Sequence, residues 1–181
     1  MAGDIAKQVA VPYAEAMLSI ATGQDAVDKF GEDARGILAV LEQTPELSSF
    51  LASPLATAEQ KKALITQAFG DSIHPMVTNV LMILADRRRI VFLEQVCEHY
   101  LTLQRKLQKI ALAEVTSVSP LNDNQKQAVV DRVKRLTGSI GVELKESIDS
   151  DLIGGVIIRV GSQVIDASLR GQLRRLAFQL S

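Results

Sequence analysis

The segment from Asp151 to Leu173 permits fewer folds than any other part of this chain. Gly161 and Ser162 stand between two runs rich in β-branched residues, and glycine followed by serine fits the central positions of a type II′ hairpin turn. That turn sets the register: Val160 faces Gln163, Ile158 faces Ile165 and Val156 faces Ala167. Side chains alternate across a strand, so Val156, Ile158, Ile165 and Ala167 share the core face. Arg159 and Asp166 fall diagonally on the other face, where an ion pair would contribute about 1 kcal/mol at most. A slip of one residue would bury Arg159 and expose Ile158. Gly154 and Gly155, just ahead of the hairpin, indicate a bulge or a close backbone approach. Ser168 is placed to cap a terminal helix whose stripe is Leu169, Leu173, Leu176 and Leu180, with Arg170, Arg174 and Arg175 directed elsewhere.

Upstream the period is helical. Ile5, Val9, Tyr13, Met17 and Ile20 recur at three- and four-residue steps, which predicts a helix over 4–21 that starts or kinks at Pro12 and stops at Gly23. A second helix over 25–43 carries Val27, Phe30, Ala34, Ile37, Leu38 and Leu41 on its stripe. Thr44 and Pro45 end it, and a short helix over 46–52 follows. Thr57 and Gln60 have the spacing of a capping box for a fourth helix ending at Phe69 and Gly70. His74 and Pro75 open a fifth, and Val91 to Gln108 form a sixth. The period then changes. Residues 110–118 and 140–148 read as strands, separated by a helix that Asn122 or Asp123 caps and Gly138 ends. The expected fold is mainly α: a six-helix N-terminal bundle over 1–108 and a small α/β domain over 109–181 with a β-hairpin and a terminal helix.

Several function classes fit the sequence poorly. The formal net charge of −1 gives no basic excess for nucleic acid. The start of the chain lacks the basic and apolar regions of a secretory signal, and Asp4 argues against a transit peptide. No run approaches the roughly 20 apolar residues of a membrane-spanning helix. A single cysteine, Cys97, excludes an intrachain disulfide and suits a reducing compartment. Cys97, His99 and His74 are too few for a zinc site of about four ligands, so no metal is expected. The glycines of the C-terminal segment flank a hairpin, not a strand-to-helix junction, and no Lys-Ser or Lys-Thr follows them, so they do not form a phosphate loop. No nucleophile, base and orienting group occur together, so neither catalytic residues nor a cofactor are expected. The run Arg87, Arg88 and Arg89 either complements a helix C-terminus or meets an acidic partner or phosphate.

A binding role fits better. The first helix carries Val9, Tyr13, Ala16, Met17 and Ile20. The fifth carries Met76, Val77, Val80, Leu81, Met82, Ile83 and Leu84, apolar nearly all round, which makes it central or gives it two contact faces. One reading is a buried bundle helix; the other is a groove that receives a partner's amphipathic helix, with Tyr13 as an anchor and Ala16 allowing close approach.

The C-terminal residues Gly154, Gly155, Val156, Ile157, Ile158, Arg159, Gly161, Ile165, Asp166, Ser168, Leu169, Arg170, Gly171, Gln172 and Leu173 closely resemble the signature of the delta subunits of F-type ATP synthases. These are the counterparts of the mitochondrial oligomycin-sensitivity-conferring protein. Tyr13, Ala14 and Ala16 are similar to the family's Tyr-Ala-x-Ala segment, and Leu84, Ala85 and Asp86 through Arg89 and Ile90 to its segment at the end of the fifth helix. Met17 departs from the more usual Leu or Phe, a change that a flexible thioether accommodates. Residues 109–150 match the family only loosely. The wording around Ala113, Glu114, Val115, Thr116 and Ser117 resembles cyanobacterial or plastid members.

The resemblance implies a non-catalytic stator subunit. The N-terminal helix of an alpha subunit would lie between the first and fifth helices against Tyr13, Ala16, Met17, Val77, Val80, Leu81 and Leu84. The C-terminal domain would meet the b-type subunits of the peripheral stalk. The subunit would resist the torque of rotation during proton-driven ATP synthesis, and would touch the membrane only through the complex, on the cytoplasmic or stromal face of a plasma or thylakoid membrane. The alternative is a stand-alone helical RNA-binding or regulatory adaptor.

Overall fold

A computed structural model of the chain describes residues 2–171 and 173. The chain divides into two compact units, Met1–Gln104 and Arg105–Ser181. The helices are α1 (Ala2–Gly23), α2 (Val27–Gln43), α3 (Pro45–Ala52), α4 (Ala58–Phe69), α5 (Pro75–Asp86) and α6 (Leu93–Gln108), with short 3-10 turns at Gly70–Ser72 and Ile90–Phe92. The helix expected to start or kink at Pro12 runs through it without interruption. Pro12 is exposed, so the carbonyl it leaves unpaired one turn back is on the wet side of the helix.

Local chemistry sets the helix ends. Thr57 Oγ1 accepts from Gln60 N at 3.3 Å and Gln60 Oε1 accepts from Thr57 N at 2.9 Å, the reciprocal capping box of α4. At the start of α5, His74 Nδ1 accepts from Met76 N at 3.2 Å and Pro75 occupies the first turn, where its missing N–H costs nothing. Asp25 and Arg88 take left-handed backbone after α1 and α5, at φ 51 and 56. Each supports a Schellman pattern: Ala26 N donates to Ala21 O at 2.8 Å, and Arg89 N donates to Leu84 O at 2.7 Å. The stop of α1 therefore does not use Gly23 as a left-handed residue; Asp25 takes that place.

The bundle core joins Ala10, Ala14, Met17 and Ala21 of α1 to Phe30, Ala34 and Ile37 of α2, Ile65 and Phe69 of α4, and Val77, Leu81 and Leu84 of α5. Val96, Cys97 and Tyr100 of α6 complete it. Two of its buried polar side chains are held by hydrogen bonds across helices. Asp33, buried on α2, accepts from His74 N at 2.7 Å and pairs with Lys29 Nζ at 2.8 Å. Gln104 donates to Val27 O and to Asp28 Oδ1. A Cβ at Gly31 would run into the Gln104 side chain, which gives that mid-helix glycine a packing reason.

The second unit is a mixed four-stranded sheet in the order β2-β1-β3-β4, with β1 Ile110–Ser117, β2 Gly141–Ile148, β3 Val156–Val160 and β4 Gln163–Asp166. β1 and β2 run parallel, so α7 (Asp123–Thr137) must cross between them. Asn122, not Asp123, caps α7, in a second capping box with Gln125. Gly138 ends it in left-handed backbone at φ 67. One sheet face packs Ala113, Val115 and Ile158 against Val129 and Val133. On the same face, Lys126 Nζ meets Glu146 Oε1 at 2.7 Å.

The hairpin has the expected register: Val160 pairs with Gln163 and Ile158 with Ile165, and Ala167 N donates to Val156 O at 3.0 Å. Gly161 has φ 58 whereas Ser162 does not have positive φ, as a type II′ turn requires. Of the signature residues, Ile158 and Ile165 join the core, and Arg159 lies on the open face beside Glu114 of β1. The expected Arg159–Asp166 pairing gives way to a local one: Asp166 Oδ1 accepts from Ser168 N at 2.9 Å and from its hydroxyl. Ser168 Oγ accepts from Gly171 N at 3.0 Å, the N-cap bond expected of it. Arg170 donates to Asp151 O at 3.2 Å. Residues 169–171 and 173 are helical. Gln172, Arg174, Arg175, Leu176 and Leu180 lie outside the described residues.

Gly155 has φ 80, and a Cβ there would collide with the carbonyl of Ala167 and the Cα of Ser168. Gly155→Ala is therefore expected to destabilise the second unit by at least about 2 kcal/mol, since left-handed strain alone costs about 1–2 kcal/mol. Urea unfolding followed by the amide signals of β3 and β4 measures it; an unchanged midpoint would show that the backbones can separate.

Candidate interaction groove

Two flanks border the buried stripes of α1 and α5. On α1, Val9, Tyr13, Ala16 and Ile20 follow one another at three- and four-residue steps beside the buried Ala10, Ala14 and Met17. On α5, Met76, Val80, Ile83 and Arg87 do the same beside Val77 and Leu84. On the side of α4, Lys62 forms an ion pair with Asp86, and Ala85 and Asp86 share a cavity wall with Glu59 and Lys61. Arg89, just beyond α5, joins the two sides: Nη1 donates to Tyr13 Oη at 3.1 Å, and the guanidinium lies 5.9 Å from the ring centroid. A cation–π contact at an exposed site contributes about 0.5–1 kcal/mol.

Of the seven residues that the resemblance implied as interface, two are accessible: Ala16 is exposed and Tyr13 half-buried. Met17, Val77, Val80, Leu81 and Leu84 are buried in the bundle core. All four implied residues of α5 are in the buried group; periodicity could not show this, because that helix is apolar nearly all round. The accessible apolar side chains of the α5 flank are Ile83, 50% exposed, and Met76, 37% exposed. The accessible or half-buried side chains beside the core are thus Val9, Tyr13, Ala16 and Ile20 on α1 and Met76 and Ile83 on α5.

The other sequence candidates resolve differently. Cys97 is buried among the α6 core residues, and burial, with a smaller contribution from the Glu98 charge, pushes its thiol up to about 12. Tyr100 is raised to about 12 by burial and then by Asp28, while its hydroxyl donates to Val27 O at 2.9 Å. His99 lines a separate hollow of about 500 Å³ beside Ala6 and Ala10. No group of three or more His, Cys, Asp or Glu suited to a metal occurs among the described residues. None of the described helices is long and apolar enough to cross a membrane. Sequence reasoning missed Asp33 and Lys61, two charged residues on buried stripes. Their signal was a charge at core spacing, Asp33 three residues from Phe30 and Lys61 four from Ile65.

The chain is thus of the class that carries a helical bundle followed by a small α/β unit with a mixed sheet. Residues 9–180 match the family model described as ATP synthase delta (OSCP) subunit. ATP synthase subunit delta of Synechococcus sp. (strain JA-3-3Ab) is 56% identical over 98% of this chain and 97% of that protein. The subunit delta of Gloeothece citriformis (strain PCC 7424) is 51% identical over 96% and 94%. A chain in the cryo-EM structure of the Toxoplasma gondii mitochondrial ATP synthase hexamer shares the fold, with a TM-score of 0.71 at 20% identity over 93% of this chain and 95% of that one. The chain belongs to the ATP synthase delta (OSCP) subunit family. It is a non-catalytic component of the peripheral stalk of an F-type ATPase.

The buried thiol gives a pH test. Its native pKa lies above the ordinary 9.0, so the native state holds the proton longer than the unfolded chain. The associated stability is complete below pH 9.0 and is lost as the pH rises towards about 12. Urea unfolding at stepped alkaline pH should show this decline, and Cys97→Ala should flatten it. A thiol that iodoacetamide alkylates rapidly in the native protein at pH 8 would contradict its burial.

Proposed function

We propose that this subunit holds the catalytic head of the ATP synthase to the peripheral stalk, with the N-terminal helix of an alpha subunit lying along a track between α1 and α5. What supports this reading is that Ile83 and Met76 of α5 remain accessible on a helix whose inner face is already filled, and that Arg89, just beyond α5, reaches Tyr13 of α1. An amphipathic helix would bury these side chains at i, i+3 and i+4 spacing. Tyr13 would serve as a rigid aromatic anchor, already oriented by Arg89. The five core residues then act as a floor that fixes groove shape.

The second unit is proposed to meet the b-type subunits of the stalk. Leu169 and Leu173 support this: one helical turn apart, they are 45% and 59% exposed. Held at both ends, the subunit would resist rotation of the head during proton-driven synthesis. Its place would be the cytoplasmic or stromal face of the energy-coupling membrane, reached only through the complex.

Calorimetric titration with a synthetic peptide of the alpha subunit's N-terminus tests the groove. Ile83→Asp should weaken binding at least about tenfold, or about 1.4 kcal/mol. Because Ile83 is half exposed, unfolding stability should change by only about 0.5 kcal/mol. Leu84→Asp, by contrast, should unfold the bundle. No binding at micromolar peptide, with the helical circular dichroism intact, would remove the groove reading.

A further inference from the structure

A cavity of about 700 Å³ lies on the α4 side of α5, bounded by the turn between α3 and α4, the start of α4 and the turn after α5. It is separate from the track proposed between α1 and α5. Two cations border it without any side-chain ion pair or hydrogen bond among the described residues: Lys61 and Arg88. Their neighbours are already engaged. Asp86 pairs with Lys62, and Glu59 occupies the first turn of α4, where the helix dipole favours a carboxylate.

Lys61 is the unusual member. It occupies the buried stripe of α4, one turn before Ile65 and two before Phe69, and is only 9% exposed. Its stem is therefore packed like an apolar side chain. No polar side-chain atom in the described structure is both fully buried and unpartnered, so the ammonium is not sealed in the core; the cavity that Lys61 lines is where it emerges. Arg88 stands in left-handed backbone at φ 56, where glycine would be less strained, and it is one of the residues that line the same cavity. The first turn of α4, with amides that have no intrahelical acceptor, adds positive potential at this wall.

The rim is apolar. Leu55 is 91% exposed and Val91 46% exposed. A small inorganic anion would satisfy the cations but leave both side chains in water and most of the volume unfilled. A peptide with a carboxylate between apolar residues would match cations, rim and size together.

We propose that this cavity is a second docking pocket, which takes a peptide segment of another ATP synthase subunit by an Asp or Glu set between apolar residues. Its carboxylate lies between Lys61 and Arg88, and its apolar neighbours cover Leu55 and Val91. The inference rests on membership of the complex and not on the track between α1 and α5.

Zero-length carbodiimide cross-linking of the assembled ATP synthase, followed by proteolysis and mass spectrometry, tests it. The expected product is an amide between Lys61 Nζ and a carboxylate of another subunit, in a peptide with apolar residues beside the acid. Lys61→Arg keeps the charge, and Lys61→Met keeps the packed stem; both should abolish that product while the subunit remains folded and in the complex. Arg88→Gln should lower its yield several-fold. Cross-links from Lys61 only to Glu59 or Asp86 of its own chain, no Lys61 product while Lys62 reacts, or a yield unmoved by Arg88→Gln would each overturn the proposal.

Discussion

Burial of one face of α5 organises the N-terminal unit. Val77, Val80, Leu81, Leu84 and Ala85 are all buried there, and α1, α2, α4 and α6 contribute to the same core. Each fully buried Val or Leu stabilises by roughly 1.5–3 kcal/mol relative to exposure, more than any surface pair in this unit can contribute. With that face of α5 enclosed, Met82 is half-buried against the core while Met76 and Ile83 remain accessible. They are what is left over when a helix with more apolar residues than one core can use is packed.

Polar groups hold the ends of this arrangement. Asp33, buried on α2, accepts from the backbone of His74 and so fixes where α5 begins, while Phe30 packs at a tilt against the His74 ring at a centroid distance of 5.0 Å. Leaving that donor unpaired would cost about 1–3 kcal/mol. At the other end, the three arginines that a sequence reader sees as one run divide. Arg88 takes the left-handed turn and borders the cavity beside α4, and Arg89 reaches Tyr13. A Schellman turn reverses direction within two residues, which is why adjacent residues serve opposite sides of one helix.

The C-terminal unit is governed by backbone proximity. The glycines at 154 and 155 admit the strand exit and helix start at 167–169: Leu169 N donates to Gly154 O at 2.9 Å, and a side chain on Gly155 would meet Ala167. A side chain on Gly171 would likewise meet the Asp166 carboxylate. These residues identify the family because they close a tight structure. The accessible apolar side chains of α1 and α5 lie in the other unit, far away along the sequence.

The sequence by itself determined what depends on a few consecutive residues. The helical periods, the capping box at Thr57 and Gln60, the type II′ turn at Gly161 and Ser162 with its register, and the cap at Ser168 each follow from local dihedral and hydrogen-bond geometry. The change of period near residue 108 likewise foretold a helical part followed by a small α/β part with a hairpin. Tertiary structure alone decided orientation and environment. It placed Met17, Val77, Val80, Leu81 and Leu84 in the core and left Ile83 and Met76 accessible, because a helix apolar nearly all round has no hydrophobic direction until neighbours pack on it. It carried α1 straight through Pro12 and drew Asp166 to Ser168 in place of Arg159. It also set Lys61 in an apolar stripe with its charge at a cavity, because burial belongs to the packed neighbours and not to the residue.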